Sequence, residues 1–280
     1  MSDLAFPGVF DGFFDDAAVF PPGRAPLDRA VRDHVSRLDT PIGRAVGPLL
    51  LPVAALDDAA SIVAGAGGDP VGVGVVVAAG GLDDALAAAA RVEPWLRVTG
   101  LELKTDGVDP RPVIDAGAAL TDRVELAIEQ IRNGALDHLD GTDIGLKART
   151  GGLVAEAFPT VDDVADVLTV AAAARRPFKL TAGLHRAVRY VDESTGFAHH
   201  GFLNIAVATD AAIAGADTSA VAQILAGSDG NVLAQRFREI GGGWRALFES
   251  FGTCSIAEPL ETLADLDLIP TAFSGHRARP

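Results

Sequence analysis

Of the 23 basic residues in this chain only three are lysines, Lys104, Lys147 and Lys179. Each closes a short apolar run: LELK, IGLK and PFKLT. Arginine supplies a fixed positive charge as well as lysine does. It stays protonated, however, whereas a buried lysine ammonium changes its pKa readily. Lysines kept in an arginine-rich chain therefore point to positions that need an amine, and a neutral amine attacks carbonyl carbon. The plain alternative is that each lysine caps strand carbonyls or pairs with a carboxylate such as Glu102, two residues before Lys104 and on the same face of a strand.

Other groups could supply proton transfer and binding. In FDDAAVFPPG, Asp15 and Asp16 stand near the end of a first strand. Both are available as a relay acid or metal ligand, with Asp16 taken as the catalytic candidate, unless the pair serves only as a turn and helix entry. In VELAIE, Glu125 and Glu129 share one face of an expected fifth strand, and Glu129 lies nearer its end as a candidate general acid or base. GLHRAVRY brings His185, Arg186, Arg189 and Tyr190 together. With Arg149 they form a basic cluster suited to carboxylate or phosphate. FAHHGFLN adds His199 and His200, adjacent and so pointing in different directions. A metal set of Asp16, Glu129, His185 and His200 has no HxH or HExxH spacing behind it, and no metal or other cofactor is expected. Ser255 opens SIAE, a capping box whose exposed amides also suit an anion. Cys254 beside it is available as a nucleophile in the mouth, but a buried strand cysteine is the favoured reading.

The elements that must position these groups follow a βα rhythm. Strand-like runs lie near 7–22, then at 47–56, 71–79, 97–104, 122–129, 143–150 and 176–183. Helical stretches alternate with them at 25–38, 57–66, 82–92, 110–120 and 160–174. Several strands are unbroken apolar runs, as in a parallel sheet covered on both faces. An eighth strand is expected at 251–256, followed by a helix at 258–266, with 199–250 a helical insertion before it. Eight such units in one chain predict a single α/β domain, a (β/α)8 TIM barrel over 1–280. An open doubly wound sheet is the runner-up, but no GxGxxG follows the first strand. The barrel places the three lysines at the C-terminal ends of strands 4, 6 and 7, the face on which such barrels build their sites.

Composition narrows the partners. The formal net charge is −15, which argues against nucleic acid and anionic membrane and favours a small anionic metabolite held in a local basic pocket. A single cysteine excludes an internal disulfide. No secretory n-region precedes an apolar run, and no apolar run is long enough to span a bilayer, so a cytoplasmic protein is expected. A homo-oligomer is left open.

IGLKARTGG, FKLTAGLHR and FGTCSI together resemble the last third of deoxyribose-phosphate aldolase-like class I aldolases. That resemblance covers strands 6 to 8 only. It implies a Schiff-base lysine at Lys147, a second lysine at Lys179 that lowers the first one's pKa by repulsion, and Ser255 helping to hold an anion. Here KART replaces the family's lysine context, and strand 3 ends VVVAAGG without the family's relay aspartate. The expected function is that of a lysine-dependent aldolase or lyase acting on a small anionic carbonyl compound, such as a sugar phosphate or a keto acid. In it Lys147 is the nucleophile, assisted by Lys179 and Lys104. Glu129 or Asp16 moves protons, and Arg149, His185, Arg186 and Ser255 bind substrate. The alternatives are an isomerase or decarboxylase using the lysines as cations, with or without a metal, and a barrel that binds a small anion without turnover.

Overall fold

The computed structural model describes residues 6–117 and 122–274. Eight parallel strands close into a barrel: β1 (Phe14–Asp16), β2 (Val46–Pro52), β3 (Val71–Val77), β4 (Leu96–Lys104), β5 (Arg123–Glu125), β6 (Gly145–Arg149), β7 (Phe178–Thr181) and β10 (Phe248–Thr253). Around the barrel the order is β1-β10-β7-β6-β5-β4-β3-β2. A short antiparallel hairpin, β8 (Tyr190–Val191) with β9 (Ala198–His199), rises from the loop after β7.

The strand sequences explain how the barrel packs. In β3, VGVGVVV, the alternate residues Val71, Val73, Val75 and Val77 are all buried in the apolar core. β-branched side chains fit that pleated layer. The residues between them, Gly72, Gly74 and Val76, take the other face; Gly74 lies against Leu50 and Glu102, and Val76 lines the central cavity. The helices are α1 (Leu27–Leu38), α2 (Leu56–Ala66), α3 (Leu82–Val92), α4 (Arg111–Gly117), α5 (Ile128–Arg132) and α6 (Val161–Ala173), then α7 (Phe202–Ile213), α8 (Thr218–Ala226), α9 (Gly230–Glu239) and α10 (Ala257–Asp265). Side-chain caps set several starts: Thr160 with Asp163 for α6, Asp217 for α8 and Asp229 for α9. Among the described residues no helix is long and apolar enough to cross a membrane.

The barrel is closed, with α7, α8 and α9 between its seventh and eighth strands. α7 is buried over most of its surface. Its Phe202 stacks on Phe251 at 5.1 Å and meets Phe14 edge-on at 5.9 Å. It therefore fills the place of the seventh barrel helix, and α8 and α9 are the addition. Several strands are shorter than the sequence expectation, as β2 is, which ends at Pro52 before α2, and two boundaries bear on the site. The eighth strand is Phe248–Thr253 rather than 251–256, because Phe248 already packs into the aromatic cluster around Phe13. The fifth strand stops at Glu125, and the chain turns into α5 before Glu129. The expected helix at 110–120 is present as α4, with 118–120 outside the described residues.

Candidate active site

The register of the barrel creates the site. Cα partners run Lys104↔Glu125, Glu125↔Lys147, Lys147↔Lys179 and Ser250↔Lys179 across β4, β5, β6, β7 and β10. Partners in adjacent parallel strands project from the same face, so one row of the interior carries all five side chains. In an ordinary (β/α)8 barrel, branched apolar residues dominate such rows.

Here the row and its neighbours form an alternating chain of charge. Lys179, buried to 3% exposure, pairs with both Asp15 and Glu102. Glu102 also reaches Lys147, its Oε2 lying 2.8 Å from Nζ. Lys147 continues to Glu125 at 2.9 Å, and the other oxygen of Glu125 faces Arg149 at 3.7 Å. Ser250 Oγ donates to Asp15 at 2.8 Å. Burial would raise Glu102, but the ammonium groups of Lys147 and Lys179 outweigh it and hold the carboxyl at about 2. Glu125 is lowered in the same way, burial being outweighed first by Lys147 and then by Arg149. Burial acts against the charge on Lys179, yet its two carboxylates win and its pKa is raised. Glu102 stands between the two amines, so the repulsion expected between Lys147 and Lys179 is largely cancelled by the carboxylate bridging them.

Above this network opens a cavity of about 300 Å³. Lys147 lies on its lining together with Lys104, Arg149, His185 and His199, and Cys254 completes the polar side. Among the described residues every acid or base on that lining other than the thiol is basic, and no carboxylate lines it. In a chain of net charge −15 this is a strong local inversion. Lys179 is not on the lining. A groove of about 500 Å³ adjoins the cavity, sharing Arg149 and Phe158 and bordered by Glu125. At the mouth the turn after β7 approaches the loop after β6. Gly183 adopts φ +77°, and a Cβ there would lie 2.8 Å from the Thr150 carbonyl oxygen, so only glycine suits this crossing. His185 Nδ1 lies 2.8 Å from Glu258 Oε2 and 4.0 Å from Cys254 Sγ. Burial disfavours its charge, but the contacts with Cys254 and Glu258 push it up to about 9. His199 donates from Nδ1 to the Gly183 carbonyl at 2.9 Å and stacks on Tyr190. Burial lowers its pKa, so it stays neutral at pH 7.

Compared with known proteins, the chain matches no family model, no curated protein and no solved structure. The functional reading therefore rests on the geometry of this site and on the sequence resemblance already described.

Several residues expected at the site lie elsewhere. Asp16 faces outward from β1 and is buried under α1, with Arg37 at 2.7 Å and His34 at 3.2 Å. Strand alternation turns Asp15 inward in its place. Glu129 is exposed on α5, where its side chain accepts from Asn133, and the acid facing Lys147 from this segment is Glu125. Arg186 lies over the Tyr190 ring at 4.3 Å and does not line the cavity. Ser255 Oγ accepts from the Glu258 amide at 3.4 Å at the entry to α10, and its neighbour Cys254 lines the cavity instead. His200 is buried and donates from Nε2 to the Pro159 carbonyl. Asp16, Glu129, His185 and His200 thus do not converge, and no group of three or more metal-ligating side chains forms among the described residues. The parity of β1 singles out Asp15 only once Phe14, which shares its face with Asp16, is seen to pack against the helices, because Phe13 and Phe14 are equally apolar in sequence. No sequence signal marked Thr181, Leu50 or Val76 as cavity residues.

Proposed function

We propose that the protein is a Schiff-base lyase of the class I aldolase kind, acting on a small anionic carbonyl compound. One observation carries this reading. Of the three lysines, only Lys147 both lines the cavity and has carboxylates within hydrogen-bond distance of its amine. Lys104 lines the cavity, but no described carboxylate comes within 4.0 Å of it; Lys179 is paired but lies off the lining. The resemblance of IGLKARTGG to the strand 6 motif of those aldolases selects the same residue.

In this mechanism an ammonium proton of Lys147 passes to Glu125, the partner bordering the open groove. The freed amine attacks the substrate carbonyl carbon while Lys104 and Arg149 hold the anionic group. The carbinolamine hydroxyl leaves as water, taking the proton back from Glu125, and an iminium remains. Its positive nitrogen withdraws the electron pair of the carbon–carbon bond next to the one at the imine carbon, while Glu125, ionised again, takes the proton of the hydroxyl on the departing carbon. The bond breaks to give an enamine, to which Glu125 returns that proton, and a released carbonyl product. Hydrolysis of the resulting iminium restores the amine. Glu102 stays ionised beside the nitrogen and stabilises its positive charge.

The test is incubation with a panel of 2-oxo acids, aldehydes and sugar phosphates, borohydride reduction, and peptide mass mapping. An adduct on Lys147, absent from Lys147→Arg, is the expected result. Undiminished turnover of an identified substrate by Lys147→Arg overturns the imine. It would leave the reading in which the lysines act only as cations, as the clamping of Lys179 by two carboxylates would suit.

A further inference from the structure

The cavity above Lys147 has two unlike walls. β1, β2 and β3 are neighbours in the barrel. What they and the turn after β1 contribute to the lining is apolar throughout: Ala17, Phe20, Pro21, Pro22, Leu50 and Val76. The basic and hydrogen-bonding side chains come from the other arc, from β4, β6, β7, the end of β10 and the loops that follow β7, where Leu153 and Phe158 of the loop after β6 add apolar surface beside them. Leu50 is seated by glycines on either side. A Cβ on Gly74 would lie 2.8 Å from its Cδ2, and one on Gly252 would lie 3.3 Å from its Cδ1. The apolar wall is therefore a built surface whose shape depends on two glycines in other strands.

We infer that the substrate is amphiphilic: an anionic head on Lys104 and Arg149, a carbonyl at Lys147, and an alkyl or aryl arm against Leu50, Val76 and Phe20. The inference rests on the lyase reading for the place of the carbonyl, but the two walls stand without it. A sugar phosphate carries a hydroxyl on nearly every carbon. Those turned to the β1–β3 wall would lose water and find no donor or acceptor, which opposes binding. An apolar arm gains there instead. Size sets the limit. A cavity of about 300 Å³ lies at the small end of ligand sites. Keto acids with a short apolar side chain fit.

The experiment uses ligands without a carbonyl, so that it reads the wall whether or not an imine forms. Dissociation constants are measured by calorimetry for straight-chain carboxylates from acetate to octanoate, and for butyl phosphate and glycerol 3-phosphate. Kd is expected to fall about fourfold for each added methylene until the cavity is full. Butyl phosphate is expected to bind more tightly than glycerol 3-phosphate, and the tighter of the carboxylate and phosphate series identifies the head group. Val76→Thr keeps the side-chain volume and adds a hydroxyl to the wall. It should flatten the chain-length dependence. Affinity independent of chain length, an undiminished chain-length dependence in Val76→Thr, or tighter binding of glycerol 3-phosphate would each overturn the inference. If the series behaves as expected but no borohydride adduct forms with any matching keto acid, the imine fails and the amphiphilic site survives.

Discussion

Lys179 shares one buried ammonium between Asp15 and Glu102, and its role can be separated from that of Lys147 by what each removal leaves behind. Replacing a buried ion pair wholesale by apolar groups is often harmless, but deleting one member strands the other in a low-dielectric interior. Lys179→Met would leave Asp15 without a cationic partner and Glu102 with Lys147 alone. The expected cost is about 3–5 kcal/mol, read as a fall in the urea midpoint. Adding Asp15→Asn should recover part of that loss, because the stranded charge is removed. A loss below about 1 kcal/mol in the single variant would mean that water or rearranged neighbours already solvate the network.

At the scale of elements, the first strand is fixed by its two aspartates acting in opposite directions. Asp15 ties β1 into the interior through Lys179 and Ser250, and Asp16 ties it outward to His34 and Arg37 on α1. A strand of three residues has few ladder bonds of its own, so these side chains carry much of its placement. Asp16→Ala leaves His34 buried without its acceptor and frees Arg37. A loss of about 2 kcal/mol is expected, from the cost of an unmatched buried polar group. The affinity for a short carboxylate should not change, since Asp16 does not line the cavity. Hydrogen exchange should show faster exchange in α1 than in α6, which keeps its own cap. Loss of anion binding in parallel with stability would return Asp16 to the site.

For the whole molecule, pH sets stability through the same groups that build the cavity. Glu102 is near 2 in the folded protein against an ordinary 4.5. A depressed acid contributes stability above its unfolded value, and that contribution is lost as pH falls from 4.5 towards 2. His185 moves the other way, from 6.5 to about 9. A raised base contributes fully below 6.5, and its contribution is lost as pH rises through 9. The urea midpoint should therefore decline from pH 6.5 to 9, and His185→Gln should flatten that limb while leaving the acid limb in place. An unchanged alkaline slope in the variant would assign the decline to the general repulsion of a chain at net charge −15 instead.

By itself the sequence determined the barrel, because apolar runs alternating with alanine-rich amphipathic stretches have few other ways to cover a parallel sheet. It also determined where the lysines fall, since LELK, IGLK and PFKLT each carry the strand and its end in four or five residues. What it left open was direction and exact length. Asp15 and Asp16 are chemically identical neighbours, and only the packing of Phe14 against the helices decides which of them faces the lysines. Glu129 has the spacing of a strand residue, but the chain breaks into a helix after Glu125, and a helix changes the periodicity that put the two acids on one face. The partners of Lys147, the bridging of two amines by Glu102 and the apolar wall of β1 to β3 depend on which strands become neighbours when the sheet closes. That closure joins β1 to β10, more than two hundred residues away in sequence. No local pattern encodes such a contact, so only the tertiary structure decided the chemistry of the cavity.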